Sequence, residues 1–139
     1  MQTLKDLMSK DVQVIGPDET IRAAAQKMRD GNFGMMPVGA VDNLIGTLSD
    51  RDIAIRGVAD GKDAKTTVRQ VMTEGIVCTS IDDSVDTAAA LMAKHQIRRL
   101  PVLDKDKRLV GIVALGDFAV VKGDIAAASN ALSGISKPN

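Results

Sequence analysis

The seven residues GTLSDRD at 46–52 return as GIVALGD at 111–117, with Gly and Asp in the same two places and Ala114 standing where the first copy has Ser49. The echo extends far beyond that phrase. LKDLMS at 4–9 aligns with VRQVMT at 68–73, and PDETIRAAAQKM at 17–28 aligns with IDDSVDTAAALM at 81–92. Pro37-Val38 aligns with Pro101-Val102, so the offset is 64 (101 − 37), and it becomes 65 (111 − 46) at the Gly phrase. A one-residue change suits a turn of variable length between two strands, around Asp42-Asn43 and Asp104 to Lys107. Each copy spans roughly 50–60 residues, a size that buries a core poorly by itself. The chain is therefore expected to build one architecture twice and to pack the two copies on each other.

Both copies carry the same local pattern. A segment rich in β-branched residues comes first, VQVIG (12–16) and IVCTSI (76–81), and reads as a strand. A helix follows, started by Asp18 or Thr20 and by Asp82 or Ser84, whose side chains can accept from the first free amides. Ile21, Ala24, Ala25 and Met28 then share a helical face, as do Val85, Ala88, Leu91 and Met92. Gly31 suits the end of the first helix, because glycine reaches the left-handed conformation cheaply. Strands are expected at 35–38 and 44–48, and again at 99–103 and 109–114, before second helices in DRDIAIRGVA and GDFAVVKGDIAAA. The fold class is α/β (α+β), with two tandem β-α-β-β-α repeats. Residues 1–60 form the first repeat, 61–70 a polar connector, 71–128 the second repeat and 129–139 a frayed tail.

Composition excludes several functions. Hydrophobic residues make up 45% and charged residues 26%, which is globular rather than disordered. Lys plus Arg equals Asp plus Glu at 18 each, so nothing pulls the chain toward nucleic acid or anionic lipid. With no Trp or Tyr and two Phe, it offers no stacking platform for single strands. The N-terminus lacks an apolar signal segment and no apolar run approaches a membrane span, so a soluble cytoplasmic protein is expected. The single Cys78 forms no disulfide within the chain and no CxxC knuckle, and it reads as a core residue of a strand. The single His95 reads as a surface or cap residue. GIVALG at 111–116 has the spacing that opens a P-loop, but Asp117-Phe118 stand where Lys and Ser or Thr are required. No nucleophile, base and orienting group assemble, so an enzyme is not expected.

The Gly phrase itself places an Asp where a strand gives way to a helix. Free amides of the first turn favour an anion there, a short hydroxyl adds a hydrogen bond, and an acid can accept from two adjacent ribose hydroxyls. A ribose-phosphate fits such a junction. Helix capping by Ser and Asp explains the same residues without any ligand.

The paired repeats, the V-x-x-x-M-T/S openings, the aligned GMMPV and IRRLPV strands and the GxxSxxD phrase together resemble a tandem pair of CBS domains, the cystathionine-β-synthase motif. The stretches TIRAAAQKMRD, LSDRDIAIRGVADG, HQIRRLPV and RLVGIV carry the likeness, which covers residues 3 to 123 and is closest to small stand-alone bacterial CBS-pair proteins. The resemblance implies repeats packed by their sheets with pseudo-two-fold symmetry and two clefts between them. It implies an adenosine-containing ligand (AMP, ADP, ATP, NAD(H) or S-adenosylmethionine) but no required cofactor or metal. A regulatory role on an effector protein and a disc-like homodimer also follow from it.

Carried onto this chain, the resemblance assigns Asp52 to ribose hydroxyls and Ser49 to phosphate or ribose, with Arg51 beside them. Ile15, Met36 and Pro37 complete the first set. In the second copy Thr79 and Ile81 are candidates for the adenine and ribose wall, and Arg98 and Arg99, just before Leu100 and Pro101, for phosphate. A solvated pair at a strand end is the plainer reading of those arginines. Ala114, Gly116 and Asp117 repeat the Gly phrase without its hydroxyl, a loss of about 0.5–1.5 kcal/mol of binding. Met28, Met92, Met8 and Met72 match across the copies and read as core; Met35-Met36 lies where a base could rest, although adaptable packing explains it too. The apolar faces of IAIRGVA (53–59) and FAVVKGDIAAA (118–128) are expected to meet another subunit. A dimeric interaction module with no physiological nucleotide is the alternative to a ligand sensor.

Overall fold

A computed structural model describes residues 3–119 and residue 135. The first elements are α1 (Leu4–Leu7), α2 (Ile21–Gly31), β1 (Met35–Ala40) and β2 (Asn43–Ser49). The short α3 (Asp50–Asp52) runs on as a π-helical segment, Ile53–Val58, and is followed by α4 (Val68–Val71) and β3 (Thr73–Glu74). Then come β4 (Thr79–Ser80), α5 (Val85–His95), β5 (Arg99–Leu103), β6 (Leu109–Ala114) and α6 (Leu115–Ala119). The mixture of helix and strand is the expected class. Most of the helix expected over 118–128, and the 129–139 tail apart from Ile135, lie outside the described residues. Ile135 packs against a hydrophobic core.

The strands form two three-stranded sheets, β1-β2-β3 and β4-β5-β6. In the first, β1 is antiparallel to β2 with Pro37 opposite Thr47; in the second, β5 is antiparallel to β6 with Pro101 opposite Ile112. Each pairing slips once, between Val38 and Gly39 and between Val102 and Leu103, again 64 residues apart (102 − 38).

The leading strands are much shorter than VQVIG and IVCTSI suggest. Ile15 alone bridges Val38, and β4 holds two residues, Thr79 opposite Val102 and Ser80 opposite Leu103, both parallel. Ile15 donates to the Pro37 carbonyl and accepts from Gly39. The next pairing back along the strand would need an N–H from Pro37 in one sheet and Pro101 in the other, which proline lacks. β-Branched residues supplied the strand signal; proline removes the partner that would have honoured it.

The helix boundaries obey the capping rules with two refinements. Thr20 and Ser84, rather than Asp18 and Asp82, cap α2 and α5 by accepting from Ala23 (3.1 Å) and Thr87 (3.0 Å). The left-handed residue ending α2 is Asn32 (φ 56), not Gly31, and its counterpart in α5 is Gln96 (φ 54). Gly31 is glycine because a Cβ there would strike the Phe33 ring.

The chain divides into two compact units, one of residues Gln13–Ile76 and one joining Met1–Val12 to Val77–Asn139. These are not the two sequence repeats. In the first unit, Ile15, Ile21, Ala24, Met28, Met36, Val38 and Leu48 enclose Val71 and Met72, which open the second repeat, and Val68, which falls in the connector expected over 61–70. Thr73, next along, pairs with Thr47 on β2. The second unit holds the mirror of this exchange. Leu4 and Met8, from the opening of the first repeat, join Val85, Ala88, Met92, Leu100, Val102, Val113 and Phe118, and Ser9 exchanges two hydrogen bonds with Ile112. Each core therefore takes residues from both copies.

Candidate functional site

Two strand-to-helix junctions, one in each unit, carry the Gly phrase. At the first, β2 ends on Ser49, opposite Met35. The Ser49 hydroxyl accepts from the Asp52 amide (3.0 Å), and the Asp52 Oδ2 accepts from the Ser49 amide (3.0 Å). This reciprocal arrangement is a capping box and satisfies two amides that the short helix leaves free. The amide of Asp50 donates to the Gly34 carbonyl (2.9 Å), tying the helix start to the residue before β1. Arg51 is exposed, and its amide donates to the Asp50 carboxylate (2.8 Å).

The Asp52 side chain is 12% exposed and is contacted by more than its own turn. The Thr73 hydroxyl stands 3.4 Å from each of its oxygens. Arg56 Nη2 lies 3.8 Å from Oδ1, while Arg56 Nη1 donates to the Met72 carbonyl (3.0 Å). Arg56 and Thr73 were not among the residues expected at the site. The available signals were the four-residue spacing from Asp52 to Arg56, one helical turn, and the match of LKDLMS at 4–9 to VRQVMT at 68–73.

The second junction keeps half of the cap. Asp117 Oδ2 accepts from the Ala114 amide (2.8 Å), and Ala114 has no hydroxyl to answer with. The Leu115 amide donates to the Arg98 carbonyl (2.8 Å), and Arg99 stands opposite Ala114 across the sheet. Arg98, Arg99, Ala114, Gly116 and Asp117 are thereby gathered at one end of the β5–β6 pair. Arg98 is exposed and Arg99 half-buried, and among the described residues neither guanidinium has a hydrogen-bond or ion-pair partner.

The remaining candidates are either distant from the junctions or buried beside them. Thr79 and Ile81 sit beside Val102 and Leu103, at the other end of β5, about 10 Å from Arg99 at 3.3 Å per residue. The Thr79 hydroxyl, buried, donates to Asp83 Oδ2 (2.9 Å), which also accepts from the Ser80 amide (2.8 Å). Ile15, Met36 and Leu100 belong to the cores, and Pro37 and Pro101 are buried beside them. Cys78 is partly buried and burial pushes its thiol up to about 11, which keeps it protonated and a poor nucleophile at neutral pH. His95 is exposed at the end of α5.

Chemically, the first junction presents a carboxylate with one oxygen committed to a cap and a hydroxyl that still has its own O–H to donate. The second presents a carboxylate and two guanidiniums without a partner among the described residues. Among the described residues no group of three or more His, Cys, Asp or Glu is placed to hold a metal ion, and no helix is long and apolar enough to cross a membrane.

Comparison with known proteins agrees with this architecture. The family model described as the CBS domain matches residues 4–57 and again 68–122. CBS domain-containing protein YhcV of Bacillus subtilis (strain 168) is 45% identical over 139 residues, spanning 100% of this chain and 99% of that protein. Hypoxic response protein 1 of Mycobacterium tuberculosis is 40% identical over 121 residues, 86% of this chain and 84% of that one. Its crystal structure, with two coordinated zinc ions, superposes with a TM-score of 0.76 over 85% of this chain and 97% of that chain. The CBS domain pair of protein MJ0100, in complex with 5′-methylthioadenosine and S-adenosyl-L-methionine, gives a TM-score of 0.75 at 29% identity, covering 86% and 94%.

Proposed function

The chain belongs to the CBS-domain family, with two such domains in tandem, and on that premise we propose that it is a non-catalytic regulatory module that binds an adenosine-containing ligand. Asp52 and Asp117 are the ribose-directed acids, Ser49 supports the first, and Arg98 and Arg99 take phosphate at the second. The ligand is AMP, ADP, ATP, NAD(H) or S-adenosylmethionine. The module works in the cytoplasm as a homodimer and passes its state to an effector protein. The observation that carries this reading is the pair of carboxylates held at the same strand-to-helix junction in both units. It is supported by the likeness to a CBS pair that binds two adenosine derivatives.

A second reading has an observation of its own. Ser49 and Asp52 satisfy each other as a cap, and Thr73 and Arg56 already approach the carboxylate. A dimeric interaction module with no nucleotide ligand needs nothing more from these residues.

The readings part in a thermal-shift screen of ligand-stripped protein against AMP, ADP, ATP, NAD, NADH and S-adenosylmethionine, followed by calorimetric titration of any hit. Ligand at 100 times its Kd adds about 2.7 kcal/mol, a rise of roughly 5–15 °C for a domain of this size. A sensor shows that shift for one or more ligands and loses it in the double variant Asp52→Ala/Asp117→Ala. An unshifted melt across the whole set favours the interaction module.

A further inference from the structure

We propose that Arg56 is a latch on the first site, occupying Asp52 until a ribose displaces it, so that the two sites fill unequally. The inference rests on reading Asp52 as a ribose acceptor. Ribose needs two acceptor directions from the carboxylate. Oδ2 is held by the Ser49 amide at 3.0 Å, and Oδ1 is faced by Thr73 Oγ1 at 3.4 Å and Arg56 Nη2 at 3.8 Å. Arg56 is anchored on its other side by the Met72 carbonyl at 3.0 Å, and Nη2 also reaches Thr73 Oγ1 at 3.5 Å. The guanidinium thus ties the acid of the Gly phrase to Met72 and Thr73, where the chain enters the edge strand β3. Its π-helical segment is the kind of local irregularity that recurs at functional positions.

Among the described residues the second copy shows no such tie. Residue 56 corresponds to residue 121 at the offset of 65 (56 + 65), and that residue is Val121, which has no charge to offer. Among the described residues the Asp117 carboxylate accepts from the Ala114 amide and makes no ion pair. Among the described residues, a ribose therefore meets a carboxylate at Asp117 with no cation on it and an occupied one at Asp52. Entry at Asp52 releases Arg56 from Met72 and Thr73 and loosens the edge of the first sheet, which couples ligand occupancy to β3. Arg56 is a positioning residue here, acting through Asp52.

Adenosine is the probe, because it carries no phosphate for an arginine to bind. Titrations are run in an Asp117→Asn background, which isolates the first site. Arg56 is half exposed, so the ion pair contributes modestly, and Arg56→Met should tighten adenosine binding about two- to fivefold. Thr73→Val, which keeps a β-branched residue in β3, should tighten it in the same direction, and Arg56→Lys should stay nearer the parent. Adenosine should also speed amide exchange at Thr73 and Glu74 in the parent and leave it unchanged in Arg56→Met. Unchanged or weaker binding in both Arg56→Met and Thr73→Val overturns the latch. Asp52→Ala in the same background separates the failures: if it leaves affinity untouched, the ribose reading of Asp52 falls and the latch with it. If it abolishes binding while Arg56→Met gains nothing, the latch alone is wrong.

Discussion

Gly46 and Gly111 head the repeated phrase, and each is glycine because the opening segment of the other repeat lies against it. A Cβ on Gly46 would collide with the Thr73 carbonyl oxygen; one on Gly111 would meet Met8 Sδ at 2.6 Å and the Ser9 carbonyl oxygen at 2.9 Å. Backbone on an edge strand cannot step aside as a flexible side chain can. Gly46→Ala should therefore cost about 1–3 kcal/mol in urea denaturation, whereas Gly116→Ala, with nothing among the described residues within 4 Å, should stay within about 0.5 kcal/mol. Equal losses would show that the close approach at Gly46 is not what selects glycine. The Ser49 and Asp52 capping roles were legible from residue type and spacing alone. Arg56 and Thr73 were not, because the contact between them joins residues 17 apart in the chain and no local rule reports it.

Among the elements, the helices followed their local signals closely. Short polar N-caps at Thr20 and Ser84 and the matched apolar faces mark α2 and α5 where the structure has them. The strands of the β1–β2 and β5–β6 pairs were equally plain, the length of the leading strands depended on Pro37 and Pro101 in the neighbouring strand, and β3 was not expected at all. The π-helical segment had no sequence signal. Its i to i+5 bonds, Ala59 to Ala54 at 2.9 Å and Lys62 to Gly57 at 3.0 Å, go with the burial of Gly57 against Ile21 and Val71. The same segment exposes Ile55 (52%) and Val58 (70%). Exposed apolar residues spaced on one helical segment suit the proposed subunit contact. Val58→Asp should convert a dimer to a monomer in sedimentation velocity with an unchanged circular dichroism spectrum. A dimer that survives the charge places the contact elsewhere.

At the scale of the whole molecule, the sequence repeat and the folded unit are different partitions of one chain. A fragment of residues 1–60 holds the first repeat but lacks Val68, Val71, Met72 and β3, which complete its core and sheet. A fragment of residues 13–76 holds the unit entire. The second should keep its helical signal to higher urea than the first, and the reverse order would show that the opening segments are not structural. The sequence by itself determined the duplication, the two long helices with their N-caps, the β1–β2 and β5–β6 pairs and the family, because each is written in local spacing or in similarity between aligned segments. The tertiary structure alone decided that the copies trade their opening segments, that the phrase glycines serve that exchange, and that Arg56 and Thr73 reach Asp52 while Asp117 has no such neighbours among the described residues. Those features arise from contacts between residues distant in the chain, where hydrophobic burial and backbone pairing choose the partner and local pattern does not.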